Sequence, residues 1–246
     1  MPLFINTNIA SLNAQRNLNK STGSLGKTFA RLASGLRINS AKDDAAGLAI
    51  SQRMTSQVRG LNQAIRNAND GISLAQVAEG ALDETTNAMQ RIRELSVQAA
   101  NGTYNDSDRA DLQKEVSQLL SEIQRISDDV EFNNQTILDG TYANTAFQVG
   151  AEQGQTIQVT IGNASLTALV STYTVNISTQ AKAQSTLTVM TNGLDSVADI
   201  RATLGAVQNR FEAVIANLSN VVENMSAARS RIMDADIASE TASLTR

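Results

Sequence analysis

Near the C-terminus, apolar residues advance in alternating steps of three and four without a miss: Val197, Ile200, Leu204, Val207, Phe211, Val214, Leu218, Val221, Met225, Ala228 and Ile232. That is the seam of a coiled-coil helix, because the a/d positions of a heptad return to one side every two turns. The pattern predicts a helix from about Leu194 to Ile232, roughly 60 Å long at about 1.5 Å per residue. Asn192-Gly193 marks its entry, and Ser196-x-x-Asp199 reads as a capping box. A narrow seam on so long a helix cannot be covered by loops and requires partner helices of similar length.

The rest of the chain supplies candidates. Leu25, Phe29, Leu32 and Leu36 form a short stripe before Asn39, and Ser40-x-x-Asp43 reads as a second capping box. From Ala45 to Ala100 no proline interrupts the chain, and Val58, Leu61, Ile65, Ala68, Ile72 and Ala75 keep one seam. The apolar face then shifts to Leu82, Met89, Ile92 and Leu95, which reads as a stutter or a change of packing partner. Gly60, Gly71 and Gly80 each weaken a helix by about 1 kcal/mol against alanine and so mark bends or close helix approach. Asn101-Gly102 ends this helix and Asp106-Ser107-Asp108 begins another. Its stripe is Leu112, Val116, Leu119, Ile123, Ile126 and Val130, with an end near Asp129 and a loop through Asn133-Asn134.

Between these helices the period changes. Phe147 and Val149, then Ile157, Val159 and Ile161, alternate with polar residues around a Gly150 to Gly154 turn, which is a hairpin pattern. Tyr173, Val175 and Ile177 with Leu187 and Val189 suggest a second strand pair. The expected architecture is mainly α: a long antiparallel helical bundle or coiled-coil rod with a small β-hairpin region inserted in the middle. Head-to-tail packing of such rods through contacts that do not close a ring gives a filament.

Composition narrows the function classes. The chain has no histidine and no cysteine, so thiolate chemistry, disulfides and histidine-based acid–base or zinc sites cannot be built. Scattered carboxylates read as solvated helix faces, and no enzyme, cofactor or metal is expected. Aromatics are only 3%, so the core must be aliphatic. The net charge of −4 and the lack of a basic stripe argue against nucleic acid. No apolar run approaches the ~20 residues of a membrane span. The opening Met1-Pro2-Leu3-Phe4-Ile5-Asn6 lacks the charged and apolar regions of a secretory signal, so if the protein leaves the cell it does so by a route that reads something else.

Several long strings carry a family resemblance. Ile5-Asn6-Thr7-Asn8-Ile9-Ala10-Ser11-Leu12-Asn13-Ala14-Gln15-Arg16 and the run Arg31 to Leu48 (RLASGLRINSAKDDAAGL) closely resemble bacterial flagellin. So do Asn67-Ala68-Asn69-Asp70-Gly71-Ile72-Ser73, Gln90-Arg91-Ile92-Arg93-Glu94-Leu95, the run Leu204 to Phe211 and the run Ser230 to Asp236. The resemblance implies the subunit of the bacterial flagellar filament, with an inner D0 coiled-coil layer, a D1 helical layer and no large outer domains. It implies residues 1–43 as D0 arm and spoke, 44–139 as the N-terminal D1 helices and 140–193 as a β-rich insert in place of outer domains. Residues 194–236 would then be the C-terminal D1 helix, and 237–246 the start of a C-terminal D0 segment that stops short of the family's terminal helix. On that expectation the stripe Leu25, Phe29, Leu32 and Leu36 lacks an intrachain partner and serves as an assembly seam. The implied location is the extracellular flagellum, reached by flagellar type III export. The implied partners are other flagellin subunits, an export chaperone, the filament cap and host Toll-like receptor 5. A hook–filament junction protein, a relative with similar helical ends, is the alternative.

The resemblance also assigns a receptor face. The family's Toll-like receptor 5 motif matches Arg91, Leu95 and Glu115, with Gln90 and Gln98 flanking. On the residues alone, Arg91 and Glu115 read equally well as solvated charges and Leu95 as core. The insert's Ser and Thr are candidate O-glycosylation sites, whereas its Asn-x-Ser matches read as chance.

Overall fold

The computed structural model of the protein describes residues 8–170 and 175–245. Ile5, Asn6 and Thr7 of the opening string and Tyr173 of the expected second strand pair lie outside the described residues. Helices dominate: α1 spans Ile9–Ser34, α2 Ala45–Ala99, α3 Asp106–Asp129, α4 Leu166–Val170, α5 Gln180–Met233 and α6 Ile237–Thr245. Four short strands form two antiparallel pairs, β1 Glu131–Phe132 with β2 Gln135–Thr136, and β3 Thr145–Gln148 with β4 Thr156–Val159. The chain divides into two compact units: residues up to Asn62 together with those from Ser219, and residues Gln63–Leu218.

The second unit holds the main core. The expected seams converge there: Ala68, Ala75, Leu82, Met89, Ile92 and Leu95 of α2, Val116 and Ile123 of α3, and Val197, Leu204 and Phe211 of α5 are all buried. The displaced face of α2 therefore lies in the same core as Ala68 and Ala75 before it. Helix boundaries follow side-chain caps. Asn105 caps α3 by accepting the Asp108 N–H at 2.8 Å, and Asp108 returns the bond to the Asn105 N–H at 3.2 Å. The buried Arg109 guanidinium then ties the end of α2 to the start of α3, donating to the carbonyls of Ala99 at 2.9 Å and Asn101 at 3.1 Å. Glycines in α2 divide by surroundings. A Cβ at Gly71 would lie 2.7 Å from Phe211 Cε2, whereas one at Gly80 would meet nothing within 4 Å. Gly71 thus marks a close approach, letting Phe211 stack edge-on against Phe147 with ring centroids 5.6 Å apart.

The hairpin pattern at Phe147 and Ile157 forms as expected, the two residues pairing directly across β3 and β4. Among the described residues the second strand pair is absent. α5 begins at Gln180 rather than near Leu194, so Leu187 and Val189 are helical, and the β-rich stretch gives way to helix before residue 193. The physical reason lies in the seam itself. Ala183, Thr186, Met190 and Gly193 are buried and continue the steps of three and four upstream of Val197. The extension is hidden because three of those four residues are small or polar. Asn192-Gly193 and Ser196 therefore sit inside the helix, and Ser196 Oγ bonds back to the Asn192 carbonyl at 3.0 Å instead of capping. Conversely, the expected loop at Asn133-Asn134 is the turn of the β1–β2 hairpin. Both asparagines adopt positive φ (51° and 60°), the geometry that a two-residue turn between twisted strands demands.

In the first unit, α6 lies along α1. Arg31 Nη1 meets Glu240 Oε1 at 3.0 Å, Thr28 is buried, and Leu36 bridges to Asp234. The expectation that the stripe before Asn39 lacks any intrachain partner is therefore corrected for its last turns. Ser40 and Asp43 form a turn instead of the expected capping box: Asp43 Oδ2 accepts the Ser40 N–H at 3.0 Å, the Asp43 N–H donates to the Ser40 main-chain carbonyl at 3.0 Å, and α2 starts only after Asp44, whose Oδ1 accepts the Gly47 N–H at 2.9 Å. Of the seam from Val197 to Ile232, Val197, Leu204 and Phe211 are buried, with Ile200 and Val207 half-buried against the same core. Val214, Leu218, Met225, Ala228 and Ile232 are half-buried and Val221 is exposed.

Candidate functional site

The face assigned to receptor contact is built by α2 and α3 side by side. Arg91 stands at the edge of the buried face of α2. Its Nε donates to Glu115 Oε1 of α3 at 2.9 Å, and its Nη1 to Glu94 Oε2 at 3.1 Å. Both carboxylates hold the guanidinium in its charged form and raise its pKa, Glu115 more strongly than Glu94. Arg91 and Glu115 remain half-open to solvent, so water screens their ion pair, which adds little stability and is free to exchange partners. Beside them a shallow groove of about 480 Å³ runs between α2 and α3, lined by Ala81, Glu84, Leu119, Glu122 and Arg125.

The structure brings Arg91 and Glu115 together but separates the other three residues. Leu95 is only 1% exposed and belongs to the core beneath the face, so it supports the surface and cannot enter a partner's pocket. Gln90 borders a different groove, between α2 and α5, with Arg93, Thr191, Leu194 and Asp195. Gln98 is exposed and donates from Nε2 to the Tyr104 hydroxyl at 2.9 Å. Sequence reasoning missed Glu94 as a second partner of Arg91, although its i, i+3 spacing was visible. Arg109 was missed altogether, since no periodic pattern marks an arginine that caps the helix before its own.

Of the assembly stripe, Leu25 and Phe29 are 44% and 54% exposed, while Leu32 and Leu36 are half-buried. Ile9, Leu12 and Leu18 add further exposed apolar surface to α1. Among the described residues no group of acidic side chains is placed to hold a metal ion, and no helix is long and apolar enough to cross a membrane.

Long helices joined by heptad seams, a small hairpin and open grooves define a helical structural protein that presents surfaces. The comparisons make this specific. The profile of the bacterial flagellin N-terminal helical region matches residues 5–143, and that of the C-terminal helical region matches residues 187–246. The chain belongs to the bacterial flagellin family, a family of structural filament proteins. It is 46% identical to a flagellin of Halalkalibacterium halodurans over 245 residues, covering 99% of this chain and 90% of that one. It is 43% identical to a flagellar filament core protein of Treponema phagedenis over 259 residues, covering 99% and 91%. The crystal structure of Bacillus cereus flagellin matches with TM-score 0.56 at 30% identity, covering 67% of this chain and 94% of that one. A flagellar hook-associated protein from Vibrio parahaemolyticus shares the fold at TM-score 0.60 but only 13% identity, over 79% and 99% of the chains.

Proposed function

We propose that this flagellin builds the filament through the exposed apolar face of α1. The observation that carries the proposal is that face: Leu18, Leu25 and Phe29 lie within about 40° of one another around α1 at 3.6 residues per turn and stand open to solvent. Open apolar surface of this kind marks association, and copies of the same chain stacked without closing a ring give a filament. Residues 1–43 and 237–246 act as the D0 part of the assembly, and the helices between them as D1. Export proceeds by the flagellar type III route, with a chaperone and the filament cap as transient partners. The Arg91–Glu115 pair and the groove beside it form the face read by Toll-like receptor 5. Here Arg91 offers the planar donors and Glu115 the acceptor, and Leu95 holds the two helices beneath them. Seeded growth tests the assembly reading. Filament fragments incubated with this chain should elongate under negative-stain microscopy, and a Leu18→Asp, Phe29→Asp variant should not. Equal elongation by both chains would refute the role given to α1.

A further inference from the structure

The connection from α2 to α3 carries Asn101-Gly102, one of two Asn-Gly pairs in the chain. The other, Asn192-Gly193, lies inside α5 with Gly193 buried. At the first pair, three features favour attack of the Gly102 nitrogen on the Asn101 side chain. Asn101 Oδ1 accepts the Thr103 N–H at 3.3 Å, which polarises the side-chain carbonyl and receives the charge that grows on its oxygen. Arg109 Nη2 donates to the Asn101 main-chain carbonyl at 3.1 Å, and the Tyr104 N–H donates to the same oxygen at 3.4 Å. That carbonyl shares its peptide unit with the Gly102 N–H. Amide resonance therefore carries the guanidinium's pull to the nitrogen and makes its proton easier to remove. The Gly102 N–H itself has no acceptor among the described residues, and a Cβ at Gly102 would meet open space. The nitrogen is thus unoccupied and unshielded.

We propose that Asn101 is a self-modification site at which the folded α2–α3 connection promotes its own deamidation. Hydroxide removes the Gly102 N–H proton, and the nitrogen bonds to Asn101 Cγ. The Cγ–Nδ2 bond breaks, and the side-chain nitrogen leaves as ammonia after taking a proton from water. One water molecule then opens the resulting succinimide. Cleavage at Cγ gives aspartate, and cleavage at the main-chain carbonyl carbon gives isoaspartate. Arg109 is a positioning residue in this scheme. The product places a carboxylate beside the guanidinium that ties Ala99 and Asn101, and the isoaspartate form adds a methylene to the backbone between the helices.

The test incubates the full chain at mildly alkaline pH, folded and in denaturant, and follows the mass gain of about 1 Da at each asparagine by peptide mass spectrometry. Folded Asn101 should convert faster than denatured Asn101. Folded Asn192 should lag Asn101 by about tenfold or more, since its helix must first open locally. Gly102→Ala fits the open space, should leave the melt unchanged, and should slow conversion. Arg109→Lys, checked for folding by the same melt, should pull the folded rate toward the denatured one while leaving the denatured rate alone. A folded Asn101 rate no faster than the denatured rate, or equal to that of folded Asn192, would overturn the proposal, as would an undiminished rate in Gly102→Ala. An undiminished folded rate in folded Arg109→Lys would overturn the part assigned to Arg109.

Discussion

Gly71→Ala and Gly80→Ala put the same methyl on the same helix in opposite surroundings, so their difference isolates packing. Both changes gain helix propensity, about 1 kcal/mol each. At Gly80 nothing lies within 4 Å of the new atom, so that gain should be realised in full. At Gly71 the Cβ would stand 2.7 Å from Cε2 and 2.8 Å from Cζ of Phe211, a fully buried ring that also stacks on Phe147. The ring cannot swing outward, and overpacking of this kind costs about 1–3 kcal/mol. Propensity cancels in the comparison, leaving Gly71→Ala below Gly80→Ala by about 1–3 kcal/mol, with Gly80→Ala above the parent chain. Urea unfolding followed by circular dichroism reads the difference as a shift in midpoint at constant slope. A Phe211→Leu background supplies the control, because without the ring edge the two alanines should converge, and the coupling measures the contact directly. Equal stabilisation by both alanines would refute the reasoning, since Phe211 would then not be packed against Gly71.

The remaining predictions concern the surface. Arg91→Ala with Glu115→Ala should leave the melt nearly unchanged but raise the concentration needed for Toll-like receptor 5 signalling about thirtyfold, the equivalent of losing roughly 2 kcal/mol of contact. Leu95→Ala should instead lower stability by about 2–5 kcal/mol, as for other buried leucines. Undiminished signalling by the folded double variant would remove Arg91 and Glu115 from the receptor face. Asp43 should titrate below its ordinary 3.8, because the Ser40 hydroxyl and N–H both donate to its carboxylate. Its folded pKa is depressed, so the stability it lends is complete above 3.8 and is lost as pH falls through the folded value. Carboxyl chemical shifts against pH would show this, and Ser40→Ala should move the midpoint back up; an unmoved midpoint would contradict the assignment.

Much of this was readable from periodicity, because large apolar residues announce a seam. α2 and α3 were legible nearly to their ends, as were the buried stripe Leu82 to Leu95, the partly buried stripe Leu112 to Val130 and the Phe147–Ile157 hairpin. What failed did so for identifiable reasons. The first turns of α5 use Ala183, Thr186 and Gly193 in the seam, so a pattern drawn on large apolar residues starts late. The β1–β2 hairpin has strands only two residues long, too short to show alternation, and only the positive-φ asparagines mark it. At the candidate site, the i, i+4 spacing of Arg91 and Leu95 suggested a shared surface. They differ by about 40° around the helix at 3.6 residues per turn, enough for one to reach solvent while the other enters the core.

On assembly, the open face of α1 becomes buried between copies of this chain in the proposed filament. The native chain has no cysteine, so Phe29→Cys introduces a single thiol on that face. Its labelling by a maleimide reagent can be timed in the monomer and in seeded filaments. The account predicts rapid labelling in the monomer, where Phe29 is 54% exposed, and strong protection in the filament. Equal labelling in both states, in filaments that do incorporate the variant, would contradict it.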